Sequence, residues 1–456
     1  MNGDITRSAI ERPRYFCSFG GALGTLEALP ETIPIMHATS GCAASIAWGQ
    51  AGTAAMQVGG FCGGLSVPSS NIGEREVIFG GADRLTEQIR RTFEVMEGRL
   101  FVVITSCVTE IIGDDVQAVV SEIRGEMGAS PDAPHLVFAK TGGFRGNSYL
   151  GYDIVMEAIV RQFVQKPVKK RPLSVNLLGI VPYMDIFWRG NLAGLRRALE
   201  LLGLEVNSFF TAEDSLDGIQ NSAEAELTIV VSDIYGIETA RVYKELYDVP
   251  YIQTSLPIGP TATAGLLREV VKALGLTIDV EAIIEQENYR YYAQLAPIVD
   301  AYFDGDHQRY AVIVADTNYA VALTRFLTDD LGWIPALVQC TEVLDENEKE
   351  QIIQKLRNKN PRINPRIVFD SAASETGRYI SEMYPRRDTD LYVETLSPAF
   401  VFGSALERAT ALKIGAPHLS VSFPVANRCV INRGYTGFDG ALTLIEDTLS
   451  AVTASR

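Results

Sequence analysis

At 456 residues, with 47% hydrophobic and 21% charged side chains, the chain has the length of about three domains and the make-up of a folded globular protein. A net charge of −16, with no basic cluster beyond Lys169-Lys170-Arg171, argues against nucleic acid or an anionic membrane surface as a partner. No apolar run reaches the ~18–20 residues that span a bilayer, and residues 1–14 lack a signal-peptide core, so a cytoplasmic protein is expected.

Residues 33–36 read as a short strand. Leu85, Ile89, Phe93 and Met96 then recur at helical spacing, one face packed on a sheet. Residues 100–106 (LFVVITS) form a continuous apolar, β-branched run, the pattern of a strand buried on both faces. Gly113-Asp114-Asp115 opens a helix over 116–123 with an acidic first turn. The same unit recurs as strand 173–179 with helix 192–202, strand 227–232 with helix 238–247, and strand 310–315 with helix 320–330. Residues 336–340 are strand-like, 366–370 precede a helix near 375–383, and 418–423 lead through a loop to a helix over 440–452. Such alternation predicts an α/β fold: three Rossmann-like domains with parallel sheets flanked by helices. Two polar, turn-rich stretches, 165–172 and 303–309, read as linkers and divide the chain into 1–168, 169–305 and 306–456.

Six cysteines are too few for a disulfide scaffold, so each is a buried small side chain or a ligand. Cys17 precedes Gly20-Gly21, Cys42 follows Ser40-Gly41, and Cys107 directly follows the strand at 100–106. In open α/β sheets ligands gather where strands hand over to loops and helices. Gly41 permits close approach of a bulky group, and a helix N-terminus favours the thiolate that iron binds. The spacings between these cysteines match no short metal-binding pattern, so they leave buried cysteines in a metal-free binding protein as an open alternative. Cys62, in a glycine-rich stretch, is expected to have no role; Cys340 is expected in the core and Cys429 in a loop. The four histidines, His37, His135, His307 and His418, lack metal-ligand spacing; His37, shortly before Cys42, could tune a cluster by hydrogen bonding, but a structural role is expected for it. No phosphate-binding GxxxxGK[ST] loop is present, so the chain is not expected to hydrolyse ATP.

The stretches around these cysteines resemble the component 1 subunits of nitrogenase. They are Cys17 with Gly20-Gly21-Ala22, His37 through Ser40-Gly41-Cys42, Val77-Ile78-Phe79-Gly80-Gly81, and above all Ile104-Thr105-Ser106-Cys107-Val108-Thr109-Glu110-Ile111-Ile112-Gly113-Asp114-Asp115. Phe423-Pro424 and Gly434-Tyr435-Thr436-Gly437-Phe438-Asp439-Gly440 extend the resemblance towards the C-terminus.

The resemblance implies that Cys17, Cys42 and Cys107 are three thiolates of an [8Fe-7S] P-cluster shared with an α-type subunit; a [4Fe-4S] cluster is the alternative. It implies an α2β2 complex supplied with electrons by an ATP-dependent iron–sulfur reductase. In the α-type partner, one cysteine of the second domain and one histidine near the C-terminus hold the active-site cofactor. Residues 230–238 here contain no cysteine and the stretch before Gly434 no histidine, so a β-type subunit without cofactor ligands is expected. Nitrogenase β-subunits can add a serine ligand where this chain has Lys140-Thr141-Gly142-Gly143-Phe144-Arg145-Gly146, with glycine in place of serine. The short, divergent chain points to a nitrogenase-like reductase such as methylthio-alkane reductase, which cleaves carbon–sulfur bonds. A dinitrogen-reducing enzyme and a cofactor-assembly scaffold are the alternatives.

Overall fold

The computed structural model describes residues 14–57, 67–128, 133–304, 310–357, 363–384 and 400–454. Cys62 and His307 lie outside them, as does 305–309 of the second expected linker. Among the described residues no helix is long and apolar enough to cross a membrane.

Among the described residues, twelve strands form three parallel sheets. The first contains β1 (Thr32–His37), β2 (Leu100–Thr105) and β3 (His135–Ala139) in the order β1-β2-β3. The second contains β4 (Ser174–Leu178), β5 (Glu205–Asn207), β6 (Leu227–Val230) and β7 (Tyr251–Gln253) in the order β5-β4-β6-β7. The third contains β8 (Tyr310–Ala315), β9 (Ile334–Cys340), β10 (Arg366–Phe369), β11 (Phe400–Gly403) and β12 (His418–Ser420), in the order β10-β9-β8-β11-β12.

Period-two alternation assigns the faces. Leu100, Val102 and Ile104 of β2 join the main core, while Phe101 and Val103 meet Leu85, Ile89, Val116 and Val120 in a separate cluster. Phe93 and Met96 of the expected helical face are half-buried against that cluster. In β8, Ala311, Ile313 and Ala315 face the main core, and Val312 and Val314 face the other side. Each central strand is therefore covered on both faces, the condition under which continuous apolar runs make parallel sheets.

The 165–172 stretch is pinned to the segments that flank the second sheet: Lys170 Nζ donates to the carbonyls of Ala223, Ala225 and Tyr247. The last described helix, Gly437–Ala454, touches β12 of the third sheet but packs mainly on helices Trp188–Glu200 and Gly259–Leu274.

Helices Ser18–Ala28 and Ser148–Gln162 cross in close contact. A Cβ at Gly21 would lie 1.8 Å from the Ser148 carbonyl oxygen, and one at Gly151 would lie 2.1 Å from that of Ser18. This contact places the first helix, and Cys17 at its N-cap, against the chain that leaves β3.

Candidate metal centre

The three cysteines all stand at helix starts. Cys17 caps helix Ser18–Ala28, Cys42 lies in the first turn of helix Ser40–Thr53, and Cys107 opens the short helix Cys107–Ile111. Each is half-buried and free of disulfide. Cys42 and Cys107 follow β1 and β2, which pair in parallel through His37 and Thr105, so both leave the same edge of the first sheet. The segment after β3 supplies the next piece of that edge.

Gly143, in that segment, is where two of the cysteines meet. A Cβ built on it would stand 3.1 Å from the Cys107 sulfur and 3.2 Å from the Cys17 sulfur. Both thiols therefore border the small space that the missing methyl leaves open. The Gly143 N–H also donates to the Cys107 sulfur at 3.1 Å. Cys17 is held to this segment by its bridge to Asn147, and Ser18 by its N–H to the Gly146 carbonyl and its hydroxyl to the carbonyls of Thr141 and Gly142.

Cys42 is placed through helix packing. Its helix carries Gly49, which leaves room for the Phe16 ring, and Gln50, whose amide donates to the Gly20 carbonyl of the Cys17 helix. Its backbone N–H is capped by the Thr39 hydroxyl.

Glu110 ties the site together. Its carboxylate accepts from the Thr105 hydroxyl and the Gly142 N–H, both at 2.6 Å, and from the Arg145 guanidinium at 2.7 and 2.9 Å. Burial opposes its charge, but Arg145, Thr105 and the Gly142 N–H outweigh that and hold the carboxyl below the usual range. A cleft of about 390 Å³ opens beside it, lined by Thr105, Glu110, Asp114, Lys140 and Arg145. Two large apolar side chains of the same segments stand uncovered: Ile111, at the end of the Cys107 helix, is 75% exposed and Phe144, next to Gly143, 60%.

His37 is fully buried and its ring is committed elsewhere, Nδ1 to the Ser70 hydroxyl and Nε2 to Asp114, each at 2.9 Å. Burial pushes its pKa down, with Asp114 opposing. Asp114 also accepts from the Gly81 N–H, so His37 fastens the Gly80-Gly81 turn and the 106–115 stretch to β1. Cys340 is completely buried at the end of β9, and Cys429 is exposed.

Among the described residues no three His, Cys, Asp or Glu side chains approach closely enough to share a single metal ion. That geometry does not count against an iron–sulfur cluster, which takes its thiolates at separate irons around its periphery. Two free thiols facing one side-chain-free space, with a backbone N–H on one of them, suit such a group.

A second buried polar region lies between the second and third sheets. The Ser232 hydroxyl, after β6, donates to Asn318, whose amide donates to the Gly179 carbonyl after β4. Tyr149 stacks on Tyr235 at 4.4 Å, and the Tyr319 hydroxyl donates to Asp185 at 3.0 Å. This region holds tyrosines, serines and carboxyls, and its one thiol, Cys340, is pushed upward in pKa by burial. Burial raises Glu342 to about 8, against the pull of the Thr317 N–H. A carboxyl raised in the folded state keeps its proton while the unfolded chain loses it, so its contribution to stability falls as pH climbs from about 4.5 to 8. Glu342→Gln is therefore expected to stabilise the protein at pH 8 by roughly 1–3 kcal/mol and to change little at pH 4.5. Urea midpoints at the two pH values check this, and a variant less stable at pH 8 would contradict it.

Comparison with known proteins agrees with this architecture. The chain belongs to the nitrogenase component 1 type oxidoreductase family, whose profile matches residues 17–453. It is 24% identical to the nitrogenase molybdenum-iron protein beta chain of Methanococcus maripaludis over 476 positions, covering 98% of this chain and 95% of the relative. It is also 24% identical to the B subunit of the light-independent protochlorophyllide reductase of Staurastrum punctulatum over 394 positions, covering 82% of this chain and 71% of the relative. Among solved structures it shares the fold of nitrogenase Cp1 at pH 6.5, with a TM-score of 0.79 at 16% identity, covering 99% of this chain and 95% of that one. It is thus a nitrogenase-like, β-type oxidoreductase subunit.

The sequence did not single out Glu110, Arg145, Thr105 or Ser18 as parts of this site. Stretches 104–115 and 140–146 both stood out, but β3, which brings them side by side, went unrecognised.

Proposed function

We propose that the chain holds one side of an iron–sulfur cluster through Cys17, Cys42 and Cys107, in a β-type subunit of a nitrogenase-like reductase. The observation that carries this reading is the convergence of the Cys17 and Cys107 sulfurs on Gly143, from opposite ends of a long stretch of chain. The cluster is the [8Fe-7S] P-cluster, with a [4Fe-4S] cluster as the alternative; when bound it supplies one-electron transfer. Uncovered Ile111 and Phe144, on the segments that carry Cys107 and Gly143, give an α-type partner an apolar surface on which to close the site, in an α2β2 complex. An ATP-dependent iron–sulfur reductase is the electron donor, and the substrate-binding cofactor belongs to the α-type subunit. The chain's own residues position and shield the thiolates: Glu110 and Ser18 fix the 141–145 segment, and the Gly143 N–H donates to Cys107.

The favoured reaction is reductive carbon–sulfur cleavage of methylthio-alkanes. The C–S bond breaks as two electrons and two protons are taken up, yielding methanethiol and an alkane. Divergence from nitrogenase β chains, at 24% identity, supports this. Dinitrogen reduction is the second reading, supported by full-length similarity to a nitrogenase β chain.

The test is an anaerobic assay of the complex with its reductase and ATP, offered volatile thioethers, dinitrogen and protochlorophyllide in turn. Thiol and hydrocarbon from the thioethers are expected. Ammonia from dinitrogen, or reduced protochlorophyllide, without thioether turnover would overturn the carbon–sulfur reading. An iron–sulfur complex that turns over none of them, with a [4Fe-4S] cluster, would make it a cofactor-assembly scaffold.

A further inference from the structure

We propose that Glu110, with Arg145, is the positioning residue of the cysteine site: it holds the Gly142-Gly143 backbone so that the Gly143 N–H stays on the Cys107 sulfur and sets the redox behaviour of the group bound there. The redox part rests on Cys107 being a cluster ligand; the mechanical part stands on the geometry alone.

Glu110 lies three residues beyond Cys107 in the same short helix, so carboxylate and sulfur share one rigid frame. One carboxylate oxygen takes the Gly142 N–H and the other takes Arg145. These two anchors flank Gly143, the residue against the two sulfurs, and its neighbour Phe144. The segment before Gly142 is fixed from β2: the Thr141 N–H donates to the Thr105 hydroxyl at 3.0 Å, and the Thr141 hydroxyl to the Thr105 carbonyl at 2.8 Å. The Thr105 hydroxyl in turn donates to Glu110. Glu110 is thus the acceptor on which both ends of the loop depend, and its side chain is only 8% exposed, so water does not readily replace it. A Cβ at Gly142 would stand 3.0 Å from the Glu110 carboxyl, so a larger residue there would press on the acceptor of its own N–H.

Hydrogen bonds to cluster sulfurs draw off thiolate charge and favour the reduced state. Loss of the Gly143 N–H should therefore move the potential to more negative values. A role confined to stability would change melting without changing potential.

The test uses the complex with its α-type partner and the variants Glu110→Ala, Glu110→Gln and Arg145→Leu. The readouts are amide exchange over residues 140–147, iron content, and the midpoint potential of the iron–sulfur signal. Glu110→Ala is expected to exchange roughly tenfold faster over that segment, the scale of a lost charged hydrogen bond. It should keep its iron and titrate at a more negative potential. Glu110→Gln, which can still accept from Gly142, should fall between Glu110→Ala and the parent, and Arg145→Leu should shift both readouts in the same direction. Unchanged exchange and potential in Glu110→Ala overturn the proposal; if that variant does not assemble, Arg145→Leu decides by the same criterion. A parent complex without iron would sink the ligand reading instead, and exchange would still judge the clamp.

Discussion

Gly151→Ala is expected to cost the protein about 3 kcal/mol or more and to strip the first helix from its partner. The added methyl would lie 2.1 Å from the Ser18 carbonyl oxygen and 2.8 Å from the Ala22 nitrogen, and backbone atoms cannot rotate aside as a side chain can. The two helices must part, and both are lined by buried residues: Phe19, Leu23 and Leu26 on one, Tyr152, Val155 and Ile159 on the other. Separation would also draw Cys17 away from Gly143. Gly125→Ala is the control, because it lies in an exposed helical position with nothing within 4 Å of an added Cβ. It should stabilise slightly, by up to ~1 kcal/mol. Urea unfolding of the three proteins checks this, and equal midpoints for Gly151→Ala and the parent would contradict the packing described.

Gly143→Ala is expected to leave the fold intact and remove most of the bound iron. Gly143 is not in the left-handed region, so alanine meets no backbone strain there. Its methyl would press on both the Cys17 and Cys107 sulfurs, closer than van der Waals contact allows. The Cys17 Cβ, also 3.1 Å from the methyl, must give by a few tenths of an ångström; free thiols can swing away from the rest of the contact, but thiolates bound to irons cannot. The variant therefore separates ligand geometry from folding: the thermal midpoint should stay near the parent's while iron per complex falls. Parent-level iron in Gly143→Ala would show that the space beside the two sulfurs is not where they bind.

The parts of the fold legible in the sequence were those with strong local signals. Residues 100–106 announced β2 because every residue of Leu100–Thr105 is buried, and 310–315 announced β8 because all but its first residue are. Weak signals failed. β5 and β7 have three residues each and are partly exposed, and β3 begins with the exposed His135 and Leu136-Val137 only after a polar turn. Helix Ser18–Ala28 has no polar stripe to mark its period, because nine successive residues are buried from Ser18 to Leu26. The cysteines themselves were visible, but their meeting place was not. The resemblance marked the 140–146 stretch, but that Gly143 lies between the Cys17 and Cys107 sulfurs emerges only once β3 and the close helix crossing at Gly21 and Gly151 are in place. His37 was legible too: the structural role expected for it is the one it has, with Ser70 and Asp114 on its two ring nitrogens.

The most direct measurement is iron content and subunit association of the anaerobically purified complex, compared across Cys17→Ala, Cys42→Ala, Cys107→Ala and the buried Cys340→Ala. Loss of iron and weaker pairing with the α-type subunit are expected in the first three variants, with parent values in the fourth. Full iron in the first three, or the same loss in Cys340→Ala, would contradict the assignment of these thiols as the metal centre.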